Sequence, residues 1–297
     1  HDPLRRQRQM CIRDSDKPAN IWRISSRSLN YTFRNRKYLE LMCLVLTAFN
    51  SHPDYKLVLI ANRDEFHGRP SKKLHNWNRS PNILGGKDIE AGGTWLATST
   101  AGKVATITNV RKVNSDVPAL RSRGLLVTDF LETSVHIEQF NQNLIQSADN
   151  YAGYNLLTFD QSQLCCFNNV TKSAEKLATG IYTLSNADIH TSWPKTRRIR
   201  KNFESLINTS SINFEENLFR IMRDDQQAPD EMLPATGVSK RMEKQLSSIF
   251  IIGEHYGTRC TSIITIDNRG LLSFYERSYN RDGNVCGNQK LFVELGK

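Results

Sequence analysis

Short β-rich runs arrive in pairs across tight turns, and pairs of helical segments interrupt them twice. Few folds accept that order. Cys43–Phe49 and Lys56–Ala61 flank a Ser51–Asp54 turn, which predicts a hairpin. Thr94–Thr98 and Lys103–Thr108 are predicted as strands about Ala101–Gly102. Two helices follow, Gly124–Glu132 and His136–Ser147; in the second, Ile137, Phe140, Leu144 and Ile145 share a face. The pattern then returns. Tyr154–Phe159 and Leu164–Phe167 form a hairpin, Gly180–Leu184 is a short strand, and helices are expected over Pro194–Ile207 and Phe214–Arg223. Ile249–Ile252, Thr261–Asp267 and Leu271–Tyr275 close with strands. Asn62–Asn82 and Asp224–Lys240, polar and proline-bearing, are expected as loops that help wall any pocket. The order predicts an α+β fold: two antiparallel sheets with helices outside. No linker divides the chain and no internal repeat is present.

Composition narrows the class. Of 297 residues, 38% are hydrophobic and 24% charged, as in globular proteins. No apolar run approaches the roughly 20 residues of a membrane helix, so no integral membrane segment and a cytoplasmic location are expected. The net charge of +10 is concentrated near the start. Residues 1–41 carry ten Lys/Arg against four Asp/Glu, and the remainder thirty against twenty-six. A nucleic-acid partner is therefore not expected. Residues 1–41 have almost no periodic apolar face and are read as an extension outside the fold. Arg5–Ser15 resembles a translated adapter artefact, and a targeting arm is the other reading. Residues 42–297 are expected to form a single domain beginning at Met42.

Metal and cofactor chemistry find little support. The six cysteines include no Cys-x-x-Cys pair, and adjacent Cys165 and Cys166 in a strand point to opposite faces. The seven histidines lack metal-ligand spacing, so no metal and no cofactor are expected. His190 and His255 are the histidines a haem role would use, but nothing singles them out. The pairs Gly85–Gly86 and Gly92–Gly93 match no phosphate-binding fingerprint and are read as a tight turn before Trp95.

Cys43 differs. It follows Met42 and opens the first predicted strand. If Met42 is removed, one residue carries a thiol and a free α-amine, whose ordinary pKa of roughly 7.7–8.0 lets it accept a proton near neutral pH. A buried apolar cysteine is the plainer alternative.

Asn62-Arg63-Asp64-Glu65 spells the signature of the NRDE family. The resemblance continues through Ile83–Asp88, Ala91–Ala97, Gly102–Ala105, Thr108–Arg111, Leu184–Ala187, Trp193–Lys195 and Gly257–Arg259, covering essentially all of 42–297. That family resembles the N-terminal-nucleophile hydrolases. The resemblance implies a four-layer αββα sandwich and, from the cysteine branch of bile-salt hydrolases and penicillin V acylases, a set of roles. Cys43 matches the nucleophile, Asp64 the residue that holds the α-amine, and Asn109 and Asn186 the oxyanion binders. A carboxylate beside an amine stabilises its protonated form, and amide donors stabilise a developing oxyanion.

One position departs. The cysteine branch has an arginine three residues before that aspartate, where this chain has Ala61. Arg63 and Asp64 are adjacent, so both can face the thiol only if the strand has ended. Arg63, Arg111 and Arg259 are candidates to grip an anionic group, and Trp95 to wall the pocket. The resemblance implies an amidohydrolase acting on a small amide or N-acyl compound. The alternative is a non-catalytic carrier of haem, a lipid or acyl-CoA, since members of the family have been connected with secretory and Golgi organisation, lipid homeostasis and haem trafficking.

Because residues 1–41 lack a core-facing pattern, their deletion is expected to leave the thermal midpoint almost unchanged in calorimetry. A large loss would place the segment inside the fold.

Overall fold

A computed structural model of the chain describes residues 43–78, 82–110, 121–208 and 213–296; the segment 1–41, Met42 and Arg111 lie outside them. The first sheet takes β1 (Cys43–Phe49), β2 (Tyr55–Phe66), β10 (Gly180–Leu184), β11 (Tyr256–Asp267), β12 (Leu271–Tyr279) and β13 (Val285–Glu294). The second takes β3 (Ser71–Asn76), β4 (Ile83–Asp88), β5 (Leu96–Ser99), β6 (Val104–Asn109), β7 (Tyr154–Phe159), β8 (Leu164–Asn168) and β9 (Ser173–Leu177). Among the described residues the orders are β10-β1-β2-β11-β12-β13 and β3-β4-β5-β6-β7-β8-β9. Every pairing is antiparallel.

Strand alternation builds three apolar layers. Between the sheets, Val45, Phe49, Leu57, Leu59 and Ala61 meet Leu84, Leu96, Val104 and Leu157. Outside the first sheet, the alternate residues Leu44, Leu46, Ala48, Val58 and Ile60 pack on α3 (Pro194–Ile207) and α4 (Phe214–Ile221). Outside the second, Ala105, Ile107 and Leu156 pack on α1 (Gly124–Glu132) and α2 (Ile137–Ser147). A fifth short helix, α5 (Lys240–Gln245), begins at a Ser239 cap. The result is the expected α+β fold, an αββα sandwich. Cys165 and Cys166 enter different layers, as strand alternation requires. Among the described residues no helix is long and apolar enough to cross a membrane.

Several elements differ from the sequence reading. The expected loop Asn62–Asn82 is largely strand: β2 continues to Phe66, and β3 follows. Polarity suggested a loop, yet Asn62, Arg63, Asp64 and Glu65 are buried and bonded within the protein. Asn62 shows how. Its Nδ2 donates to the carbonyls of Met222 and Ile249 at 2.9 and 2.8 Å, and Thr261 Oγ1 donates to its Oδ1 at 2.6 Å. Ile249–Ile252, expected as a strand, is irregular; its Ile249 carbonyl is instead tied to Asn62. β11 begins at Tyr256, earlier than Thr261. β4, β9, β13 and α5 were not anticipated. β13 alternates between intermediate and exposed positions at a sheet edge, so it carries no buried apolar signal.

Asn62→Ala would remove the donor to two buried carbonyls and the acceptor of the Thr261 hydroxyl, which keeps only the bond it accepts from Tyr279. A loss of about 3 kcal/mol is expected in urea unfolding; a loss below about 1 kcal/mol would mean water replaces the amide.

Candidate active site

Register decides which β2 side chains meet Cys43. Cys43 stands directly opposite Arg63 on β2, and Arg63 stands opposite Cys260 on β11. All three therefore face the space between the sheets. Because β2 has not ended, Asp64 faces the other way, toward the layer of α3 and α4, and Glu65 returns to the inter-sheet side. Of the adjacent pair, Arg63 therefore shares the thiol's side and Asp64 does not.

A cleft of about 350 Å³ opens there, lined by Cys43, Arg63, Glu65, Trp95 and Asn109. Arg69, Asp88, Arg121 and Arg123 complete its charged walls. The Arg63 guanidinium lies 4.2 Å from the centroid of the Trp95 ring. It also approaches Glu65 Oε2 at 3.5 Å and donates to Ser71 Oγ at 3.4 Å. Arg69 reaches Glu65 at 3.4 Å and Asp88 at 2.8 Å. Burial pushes the Glu65 carboxyl up, against the pull of Arg63 and then Arg69. Arg121 and Arg123 stand beside the start of α1, and Arg123 donates to the Gly153 carbonyl at 2.9 Å.

Glycines let these walls approach. A Cβ on Gly86 would lie 2.3 Å from the Trp95 ring, and one on Gly93 would lie 2.3 Å from the Gly124 backbone. The expected tight turn belongs to Gly92, at φ +78°. Gly85 and Gly86 lie within β4 and serve close packing instead.

The four residues matched to catalytic roles gather around the start of β1. Ser185 Oγ donates to the Cys43 carbonyl at 3.2 Å and also lies 3.1 Å from Asn186 Oδ1. Asn186 Nδ2 donates to the Asn109 carbonyl at 3.0 Å. Asn109 lines the cleft, whereas Asn186 is buried behind it and holds the Asn109 backbone. Asp64 is buried on the helix side, accepting from Thr258 Oγ1 at 2.6 Å. Its backbone N–H nevertheless bonds the Cys43 sulfur. Burial, and then the Asp64 carboxylate, push the Cys43 thiol up to about 12, against the opposing pull of Arg63. Burial also raises the Asp64 carboxyl, opposed first by Lys195 and then by the Thr258 hydrogen bond.

One expected anion-binding residue does not line the cleft. Arg259 donates to the carbonyls of Phe66, His67 and Arg69 at 2.9, 3.1 and 3.3 Å, so it braces the turn after β2. Arg111 lies outside the described residues. Arg69, Arg121 and Arg123 stand in the cleft instead; only the tertiary fold brings them there. Glu65 was legible as part of the signature but carried no assigned role. The expected loop 224–240 contributes nothing to the cleft lining. His190 and His255 are surface residues paired with Glu175 and Glu254. Among the described residues no group of three or more His, Cys, Asp or Glu side chains is disposed to hold a metal ion.

A family model described as Transport and Golgi organisation 2 matches residues 42–281. The chain is 34% identical over 257 residues to the Transport and Golgi organization protein 2 homolog of Homo sapiens, across 80% of this chain and 93% of that one. It is 27% identical over 263 residues to the Drosophila melanogaster protein of the same name, across 80% and 92%. Among solved structures, a mutant conjugated bile acid hydrolase from Clostridium perfringens is similar at a TM-score of 0.45 and 10% identity, across 86% and 92%.

The two neighbouring glycines are expected to respond differently. Gly92→Ala meets no neighbour and costs only its left-handed backbone, about 1 kcal/mol. Gly93→Ala collides with the backbone at the start of α1 and is expected to cost about 3 kcal/mol. Equal losses in urea unfolding would contradict the close approach.

Proposed function

This chain belongs to the Transport and Golgi organisation 2 family, and on that premise we propose that it is a cysteine N-terminal-nucleophile amidohydrolase acting on a small amide or N-acyl compound. The observation that carries the reading is Cys43. It opens a central strand, lines the cleft, and is tied through Ser185 and Asn186 to Asn109, with Asp64 beside it on β2.

The reaction needs Cys43 to become the first residue. While a peptide bond precedes it, the nitrogen is an amide and cannot act as a base, and a thiol raised to about 12 stays protonated at neutral pH. Removal of the preceding chain creates the α-amine. The amine takes the thiol proton, and the sulfur attacks the substrate carbonyl carbon. Negative charge moves to the carbonyl oxygen, for which Asn109 is the amide of the matched set that lines the cleft. The C–N bond then breaks, the α-ammonium returns its proton to the leaving nitrogen, and a thioester remains. Water, deprotonated by the same amine, releases the acid and restores the thiol. Asn186 acts by holding the Asn109 backbone.

The cleft favours a substrate with an anionic group. Arg63, Arg69, Arg121 and Arg123 stand against Glu65 and Asp88, and Arg63 on Trp95 presents a flat cationic face. The same surplus supports the carrier reading, in which the cleft binds an anionic ligand and Cys43 stays amide-bonded.

N-terminal mass spectrometry and pH-resolved alkylation test the proposal together. In processed protein, an electrophilic acyl-amide probe should label Cys43 near neutral pH, and Cys43→Ala should abolish that labelling. In chain that retains residue 42, alkylation of Cys43 should rise only toward pH 12. Processed protein whose Cys43 shares that alkaline profile would leave the carrier.

A further inference from the structure

We infer that Lys195 is a positioning residue for the nucleophile, acting through Asp64 from the helix side of the sheet. This rests on the reading of Cys43 as an N-terminal nucleophile. The residues of β2 that face outward are Val58, Ile60, Asn62 and Asp64, and the first two pack on Ile199 and Phe203 of α3. Lys195 heads that helical stripe, four residues before Ile199, and is 1% exposed. Its place is set firmly. Pro194 opens the helix, and Trp193 N–H donates to Thr196 Oγ1 at 2.9 Å. The ammonium lies 6.0 Å from the centroid of the Trp193 ring.

Ile199 and Phe203 show what packing alone selects along this stripe, and an ammonium serves that purpose badly. Taking a lysine charge out of water costs several kcal/mol unless an opposite charge shares the region. The acid on the facing stripe is Asp64, 0% exposed. Its Oδ1 accepts from Thr258, while Oδ2 is buried with no hydrogen-bond partner. A carboxyl so placed would hold its proton. Glu65, next in the chain, pushes it the same way, and Lys195 is the cation that opposes both. Glu243 of α5 also lines a small cavity with Lys195, and its Oε1 accepts from the Thr236 N–H and hydroxyl.

The charge has a use only if Asp64 must be a carboxylate. A neutral acid cannot stabilise an ammonium, whereas a carboxylate raises the proton affinity of an adjacent amine. With Asp64 charged, the Cys43 amine can hold the thiol proton near neutral pH, and Oδ2 is an open acceptor for it. Lys195 touches neither thiol nor substrate in this arrangement; it sets the charge state of the residue that does the holding.

Lys195→Met and Lys195→Arg in processed protein test this, with two readouts. One is the ¹³C titration of the Asp64 carboxyl, assigned with Asp64→Asn. The other is the pH profile of Cys43 alkylation by iodoacetamide, read at Cys43 by mass spectrometry. In Lys195→Met, Asp64 should titrate at higher pH, and the alkylation profile should move about one pH unit alkaline, tenfold slower at a fixed pH below its midpoint. Lys195→Arg should restore both in part. A folded Lys195→Met protein with both profiles unchanged overturns the inference. So does an Asp64 shift with no change at Cys43. If the parent Cys43 is inert while Asp64 still shifts, the nucleophile reading fails and the positioning role falls with it. Should Lys195→Met not fold, the Asp64→Asn/Lys195→Met double variant decides. Recovery of much of the thermal midpoint lost in Asp64→Asn supports the pair, and a further, additive loss overturns it.

Discussion

Everything at the cleft depends on β2 remaining a strand through its most polar residues. Asn62 to Glu65 run through the middle of the first sheet, between β1 and β11. Strand alternation sends their side chains to opposite faces. Arg63 and Glu65 enter the space between the sheets, while Asn62 and Asp64 enter the helical layer. Such a segment is stable because most of its groups are answered within the protein: Asn62 by two carbonyls and Thr261, Asp64 Oδ1 by Thr258, and Arg63 by Glu65, Ser71 and Trp95. Buried polar groups without such partners would cost more than the sandwich gains from ordering them.

The same constraint explains what was legible in the sequence. Runs that bury apolar residues on both faces, such as Cys43–Phe49 and Tyr154–Phe159, announce themselves, and their boundaries agree with β1 and β7. The helices Gly124–Glu132 and Pro194–Ile207 also stand where their patterns put them. Strands fail to announce themselves when their residues are chosen for something other than apolar burial. The end of β2 is polar because its side chains line the cleft or bond within the protein, and β13 is half-exposed because it is an edge. Ile249–Ile252 misleads in the opposite sense. It has β-forming composition, but its carbonyls serve Asn62 and Thr258 rather than a ladder.

Of the site, single residues were legible and their relations were not. Cys43, Asp64, Asn109 and Asn186 could be singled out by motif. That Asn186 holds the Asn109 carbonyl depends on a contact across 77 residues. Arg259 looked like Arg63 in sequence, each an arginine in a marked motif. Three backbone carbonyls occupy Arg259, while an aromatic ring and a cleft receive Arg63. No local pattern distinguishes those fates, because the partners come from distant segments.

The two faces of the sheet divide the electrostatic work. On the inner face, Arg63 pulls the Cys43 thiol down, and Arg69, Arg121 and Arg123 line the same cleft. On the outer face, Asp64 pushes the thiol up, which by itself works against a nucleophile. That opposition makes sense if the group Asp64 serves is the α-amine rather than the thiol. A charge that raises both proton affinities favours transfer from sulfur to nitrogen only if it lies closer to the nitrogen, and the outer face, beyond the sheet from the cleft, is where such a charge leaves the thiol's side free for substrate. On the proposed reaction, separating Arg63 from Asp64 by one strand position places the substrate-facing cation and the amine-facing anion on opposite sides of a single residue.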